Sequence, residues 1–409
     1  MIYQSYQSRS DALRPLRASA ALAAASMRWL PGLWPTPLPG FLPIDNAVAA
    51  WELFARTGVT HTRPAFGIDT TTVGNRVVPV VEEVAARTPF ATLLHFAKDV
   101  DVPQPRMLVI APLSGHFATL LRNTVEVLLP DNDVYITDWH NARDVPLSDG
   151  PFGFDEYVEH VIGFLEAIGP GAHLLAVCQP CVHALAAVAV MAEDDNPAQP
   201  RSMTLMAGPV DTRVSPSGVN RLATSKPMEW FERNLIATVP ACHRGAGRRV
   251  YPGFVQLTAF MSMNAERHLN AHIDLFHRMV AGDTEKVEQV RAFYDEYFAV
   301  LDLAAEFYLE TVKLVFQDAA LAKGTLDWRG RRVDPKAIRR TALLTVEGER
   351  DDICSVGQTL AAHDLCSSLR PYRKRHHLQA GVGHYGVFSG RRWAGQIYPL
   401  VRNLVLSSD

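Results

Sequence analysis

From residue 106 the chain alternates short apolar runs with amphipathic stretches. "RMLVIAPLSG" (Arg106 to Gly115) reads as a buried strand ending in a small-residue loop. "FATLLRNTVEVLLP" (Phe117 to Pro130) has helical spacing and stops at proline. "DVYITDW" (Asp133 to Trp139) is a second strand, and "GFDEYVEHVIGFLEAIGP" (Gly153 to Pro170) an amphipathic helix closed by Gly-Pro. "AHLLAVC" (Ala172 to Cys178) and "RSMTLMAGPVD" (Arg201 to Asp211) are further strands, with a helix between them. Strands alternating with helices of this length predict a mostly parallel sheet with helices on both faces.

Between about 212 and 330 the strand signals fade. "NAERHLNAHIDLFHRMVAG" (Asn264 to Gly282) and the stretch from Asp283 to Leu321 read as long helices. Alternation then resumes: "TALLTVEGERDDI" (Thr341 to Ile353) is a strand and loop, "VGQTLAAHDLCSSL" a helix, and "RKRHHLQAGVGHYGVFSG" a strand and a glycine-rich loop. The expected organisation is an α/β core over 61–211 and 331–409, interrupted by a helical lid at 212–330. Residues 1–60 form a helical segment that includes a proline-rich wrap, "WLPGLWPTPLPGFLP" (Trp29 to Pro43), whose prolines exclude a regular element.

Composition narrows the classes. The 409 residues are 48% apolar and 20% charged, enough for a large core. A formal charge of −3 supplies no general attraction to nucleic acid or anionic membrane. The run "RPYRKRHH" (Arg370 to His377) reads as a solvated face. The alanine-rich segment from Leu16 to Trp34 is interrupted by Arg17 and Arg28, so it reads as a surface helix rather than a secretory signal. No stretch has the length of a transmembrane span.

Five cysteines, at 178, 181, 242, 354 and 366, make no disulfide framework and fit a reducing compartment. No second tight pair accompanies Cys178 and Cys181, so no metal site is expected. His268 and His272 stand four apart, but no HExxH pattern exists and a helix face is the better reading.

Cys178 is where the chemistry concentrates. A buried strand leads into it and a helix leaves from it, the arrangement of a nucleophile elbow in an α/β-hydrolase fold. Small residues belong two before and two after; here they are Ala176 and Pro180, and proline suits a first helical turn. The Gln179 N–H would face a developing oxyanion. Chain order in this fold runs nucleophile, acid, histidine. Asp351, in "EGERDDI", and His384, in "GVGHYG", fill the last two places, 33 residues apart. Asp352 is the rival acid. A second oxyanion donor should come from the loop "APLSGHF", at Ser114 or a neighbour. Cys181 reads as packing. A CxxC at a helix start also suits a redox dithiol, but the long α/β array before it and the distal Asp/His pair point to a hydrolase. No cofactor is called for.

"PLSGHFATLLRNTVEVLLPDNDVYITDWHNARDVP", "VCQP", "EGERDDI", "VGQT" and "GVGHYGVFSGRRW" together resemble the intracellular poly(3-hydroxybutyrate) depolymerases. The resemblance runs from "MIYQSYQSRSDALRPLR" to the C-terminus. It implies an α/β-hydrolase with a helical lid and cysteine in place of serine, with Cys178 as nucleophile, Asp351 as acid and His384 as base. Polyester cleavage in the cytoplasm, at the surface of amorphous polyester granules, is the implied activity, with water or coenzyme A as acyl acceptor. Polyester synthases share the Cys–Asp–His set but border the cysteine with glycine, which "VCQPC" lacks. A synthase or acyltransferase and a non-catalytic granule-coat protein are the alternatives. Oligomeric state is left unassigned.

Overall fold

The computed structural model describes residues 2–29, 43–263 and 265–408. Its centre is a nine-stranded sheet: β1 (Thr70–Val73), β2 (Arg76–Arg87), β3 (Ala91–Lys98), β4 (Arg106–Ile110), β5 (Asp133–Trp139), β6 (His173–Val177), β7 (Ser202–Met206), β8 (Ala342–Gly348) and β9 (Lys374–Gln379). The spatial order is β1-β2-β3-β5-β4-β6-β7-β8-β9. β3 runs antiparallel to both its neighbours. From β5 to β9 every pair is parallel. With β1 set aside as an added edge, this is the strand order of an α/β-hydrolase. Parallel strands need cover on both faces, so their sequences are continuous apolar runs. Every residue of β6, β7 and β8 is buried.

The strands predicted from Arg106 onward lie where the pattern put them. β1, β2 and β3 were not anticipated. In β2, "RVVPVVEEVAAR", valine occupies both faces; Val78 and Val80 are buried while Val77, Val81 and Val84 are exposed. Valine on both sides erases the period of two that marks a half-buried strand.

One helix carries the site. The helix Cys181–Glu193 follows β6, and its residues from Cys181 to Met191 are all buried. Its alanines let the backbone lie close to neighbours. Among them, His183 packs at a tilt against the rings of Phe154, Tyr157 and Phe307. Burial pushes its pKa down to about 3, so it is a neutral core residue.

Two predicted helices are corrected. The stretch from Asp283 to Leu321 is not one helix: Thr284–Tyr297 and Ala305–Thr311 are separated by an extended crossing. There Val300 N–H donates to Thr60 O at 2.8 Å and Leu301 N–H to Gly115 O at 2.9 Å. Leu303–Ala304 pairs with Arg249–Tyr251 in a small sheet. Buried Asp302 fixes this crossing, accepting from Tyr3 Oη at 2.6 Å and Gly253 N–H at 2.9 Å. The helix predicted over "VGQTLAAHDLCSSL" shortens to Ala362–Leu365. The amides of Gly357, Thr359 and Leu360 instead donate to the buried Glu347 carboxylate, at 2.8, 2.7 and 2.9 Å.

The N-terminal segment is helical at Ile2–Trp29 and Ile44–Arg56. The second of these is pinned to the helix Thr284–Tyr297 by Arg56–Asp295 at 2.9 Å and Arg291–Glu52 at 2.5 Å. Most of the proline-rich wrap, residues 30–42, lies outside the described residues. Among the described residues no helix is long and apolar enough to cross a membrane.

Candidate active site

Cys178 sits in the turn between β6 and the helix Cys181–Glu193 with φ at +67°, a region that residues other than glycine seldom adopt. The turn is held from both sides: Cys178 N–H donates to Met206 O at 2.7 Å, and its carbonyl accepts from Cys181 N–H at 3.1 Å. Pro180 caps the helix at φ −69°, where its missing N–H costs nothing. The turn is crowded: a Cβ on Gly208 would run into the Cys181 side chain and approach the Cys178 carbonyl.

The two cysteines have different surroundings. Cys178 is half-buried. Cys181 is fully buried, its thiol directed at Ala176 O (3.4 Å) and Met206 O (3.7 Å), and burial drives its pKa far above that of a free thiol. The described cysteines are all free thiols.

His384 and Asp351 come together at the carboxyl end of the sheet. Asp351 Oδ2 accepts from His384 Nδ1 at 2.7 Å. Asp351 Oδ1 accepts from Ile353 N–H at 2.9 Å and Cys354 N–H at 2.8 Å, so both carboxylate oxygens are occupied and the group is fixed. The loops that bear acid and base touch closely. Arg350 N–H donates to Val382 O at 2.9 Å, and a Cβ on Gly348 would press on that same carbonyl. Asp352, next along, is exposed and lines the cavity described below.

His384 is buried, and burial alone would lower its pKa. The charges of Cys178 and Asp351, and hydrogen bonding to both side chains, outweigh that and hold it well above the ordinary imidazole range. The structure therefore brings Cys178, His384 and Asp351 into one interacting set. Gln179 follows Cys178 at the helix start. Its side-chain Oε1 accepts from Leu113 N–H at 3.4 Å. The Leu113 amide thus faces the Gln179 side chain at the nucleophile turn, and Ser114 is half-buried beside it.

The sequence model of the family described as PHB de-polymerase C-terminus matches residues 207–409, the half that carries Asp351 and His384. Over these residues the chain matches the PHB depolymerase family. The match supports a hydrolase, in keeping with the sheet order. No curated protein matches the chain. Solved structures similar to it include a monoacylglycerol lipase from Paleococcus ferrophilus (12% identity, 75% of this chain, 96% of that one, TM-score 0.42). Another is 2-hydroxy-6-oxo-6-phenylhexa-2,4-dienoate hydrolase from Rhodococcus sp. strain RHA1 (11%, 80% and 99%, TM-score 0.43). A third is a thermophilic esterase from Thermogutta terrifontis (12%, 80% and 98%, TM-score 0.40).

A cavity of about 270 Å³ opens beside His384. Phe260, Arg267, His268, Phe293 and Tyr297 of the lid form one wall; the acid and histidine loops form the other. His268 is hydrogen-bonded to Tyr294 Oη at 3.1 Å, and His272 to the His268 carbonyl at 2.8 Å. The described residues hold no group of three metal ligands.

Glu347 was missed in the sequence because nothing local marks a strand-end glutamate as an anchor. Its carboxylate holds the turn at Gly357–Leu360, and Thr359 Oγ1 in turn accepts from Gly208 N–H (2.8 Å) behind the nucleophile turn. Glu347→Gln should cost roughly 1–3 kcal/mol in urea unfolding, since an amide nitrogen replaces one accepting oxygen. Unchanged stability would mean that this turn forms without it.

Proposed function

We propose that the chain is an intracellular poly(3-hydroxybutyrate) depolymerase that cleaves polyester through an acyl-thioester on Cys178. The observation that carries this is the set Cys178–His384–Asp351 at a strained strand-to-helix turn, in a chain whose residues 207–409 match the depolymerase family. His384, as imidazolium, pairs with the Cys178 thiolate. The thiolate attacks an ester carbonyl, and the oxyanion lies toward the N–H groups of Gln179 and Leu113, from which the Gln179 side chain must withdraw. His384 then protonates the leaving hydroxyl while Asp351 keeps its tautomer. Water activated by His384 hydrolyses the thioester; coenzyme A could accept the acyl group in its place. The free cysteines fit a reducing compartment.

Granule contact is assigned to the lid and the N-terminal helices. Leu269 (61% exposed) and Ile273 (47%) lie on the helix that supplies Arg267 and His268 to the cavity. Trp51 (44%) and Phe54 (37%) are exposed on Ile44–Arg56, the helix packed against it. Replacing both Leu269 and Ile273 by Asp should cut granule degradation relative to soluble-ester hydrolysis by about tenfold or more, the value of one buried apolar side chain. Equal loss on both substrates would place these residues in the fold rather than at the granule.

The direct test is release of 3-hydroxybutyrate and its oligomers from amorphous granules by purified protein. Cys178-dependent release supports the proposal. Incorporation of hydroxyacyl-CoA into polymer would make the chain a synthase instead, and turnover indifferent to Cys178 would leave a granule-coat protein.

A further inference from the structure

The cavity beside His384 is lined by two exposed arginines that the catalytic set does not use. Arg267 reaches it from the lid helix Ala265–Ala281, and Arg350 from the loop that precedes Asp351. Neither side chain has a hydrogen bond or ion pair among the described residues, whereas most lid arginines are paired, as Arg278 is with Asp274 and Arg291 with Glu52. Backbone pairing of Arg350 with Val382 fixes its Cα between the acid and histidine loops. The positive charge of Arg267 is felt by Tyr297 and Tyr385, the aromatic walls on either side. Asp352 also lines the cavity and has an interaction of its own, so the lining outside the catalytic set carries two arginines to one carboxylate.

A polyester chain is neutral along its repeats and carries a carboxylate at one end only. Guanidinium is charged at every working pH and its planar fork matches a carboxylate. Apolar and aromatic walls with a few converging polar groups are what a small-ligand site requires. We propose that this cavity is a carboxylate subsite, in which Arg267 and Arg350 hold the free acid end of an oligoester. This rests on the depolymerase reading above. It would set the ester next to the acid end against Cys178, so that short hydroxyacid units are released from that end. A phosphate of coenzyme A offers the same oxyanion chemistry and is the competing source.

The test compares the linear 3-hydroxybutyrate trimer as free acid with its methyl ester, in wild type and in the double variant Arg267→Ala/Arg350→Ala. The expected result is a KM ratio, free acid over methyl ester, raised by about tenfold or more in the double variant. Binding of the trimer acid to Cys178→Ala, with and without the arginine substitutions, reads the same contact without turnover and should weaken by a like factor. An unchanged ratio together with unchanged binding overturns the subsite. So does a double variant that loses coenzyme A affinity but not trimer-acid affinity, which would assign the arginines to phosphate. Cys178-independent hydrolysis of the methyl ester would sink the depolymerase reading by itself, whatever the charge preference.

Discussion

Cys178→Ala lowers kcat/KM on soluble oligoesters by about ten-thousand-fold or more, while Cys181→Ala keeps most of it. The size follows from what is lost. Removing the nucleophile of an interacting triad leaves only binding and oxyanion stabilisation, and losses of this order are usual. The contrast follows from burial. Cys178 stands at φ +67° in the interacting set with His384, whereas the Cys181 thiol is enclosed under the same turn. Truncating Cys181 removes one buried sulfur, a packing loss that shows in thermal stability before it shows in rate. Steady-state kinetics of the two variants side by side make the measurement. Equal loss in both would instead indicate a dithiol in which each sulfur needs the other.

Asp351→Asn lowers kcat by about ten-thousand-fold, whereas Asp352→Asn keeps most of it. Asp351 uses Oδ1 for the amides of Ile353 and Cys354 and Oδ2 for His384. An asparagine can keep the first pair only by turning its NH₂ toward Nδ1, which imposes the wrong tautomer. The pH dependence moves as well. The charge of Asp351 helps to hold the His384 pKa up, so the imidazolium survives to higher pH in the wild type. Activity that needs the imidazolium is present below that pKa and lost as pH rises through it. In Asp351→Asn the pKa falls, and the alkaline limb of the rate profile should shift to lower pH. A profile that keeps its alkaline limb in place would mean that Asp351 orients the ring without setting its charge.

The residues that make this site were legible to different degrees, for physical reasons. Cys178 could be read because a buried parallel strand followed at once by a helix is a strong local pattern. Asp351 and His384 were candidates because each stands in a polar or glycine-rich loop a few residues after a strand that the pattern predicts, β8 and β9. The second oxyanion donor could be placed only at Ser114 or a neighbour: a backbone N–H serves as donor whatever its side chain, so the sequence carries no mark of it. Glu347 and the crossing at Asp302 were illegible: Glu347 holds backbone amides of the following turn, which no side chain marks, and Asp302 is anchored by partners distant in sequence, Gly253 and Tyr3. Helical periodicity ran through that crossing because its apolar residues are buried in either conformation. β2 escaped for the opposite reason: valine on both faces left no alternation to read. Arg267 and Arg350 meet only when the lid folds over the acid loop.

The most direct measurement is the mass of the intact protein quenched during turnover of a 3-hydroxybutyrate oligomer ester, followed by peptide mapping of any adduct. The expected result is an added hydroxybutyryl group, labile to hydroxylamine as a thioester is, on the peptide containing Cys178 and absent from Cys178→Ala. Turnover with no adduct on that cysteine, or an adduct on Cys181, would contradict covalent catalysis at the strained turn.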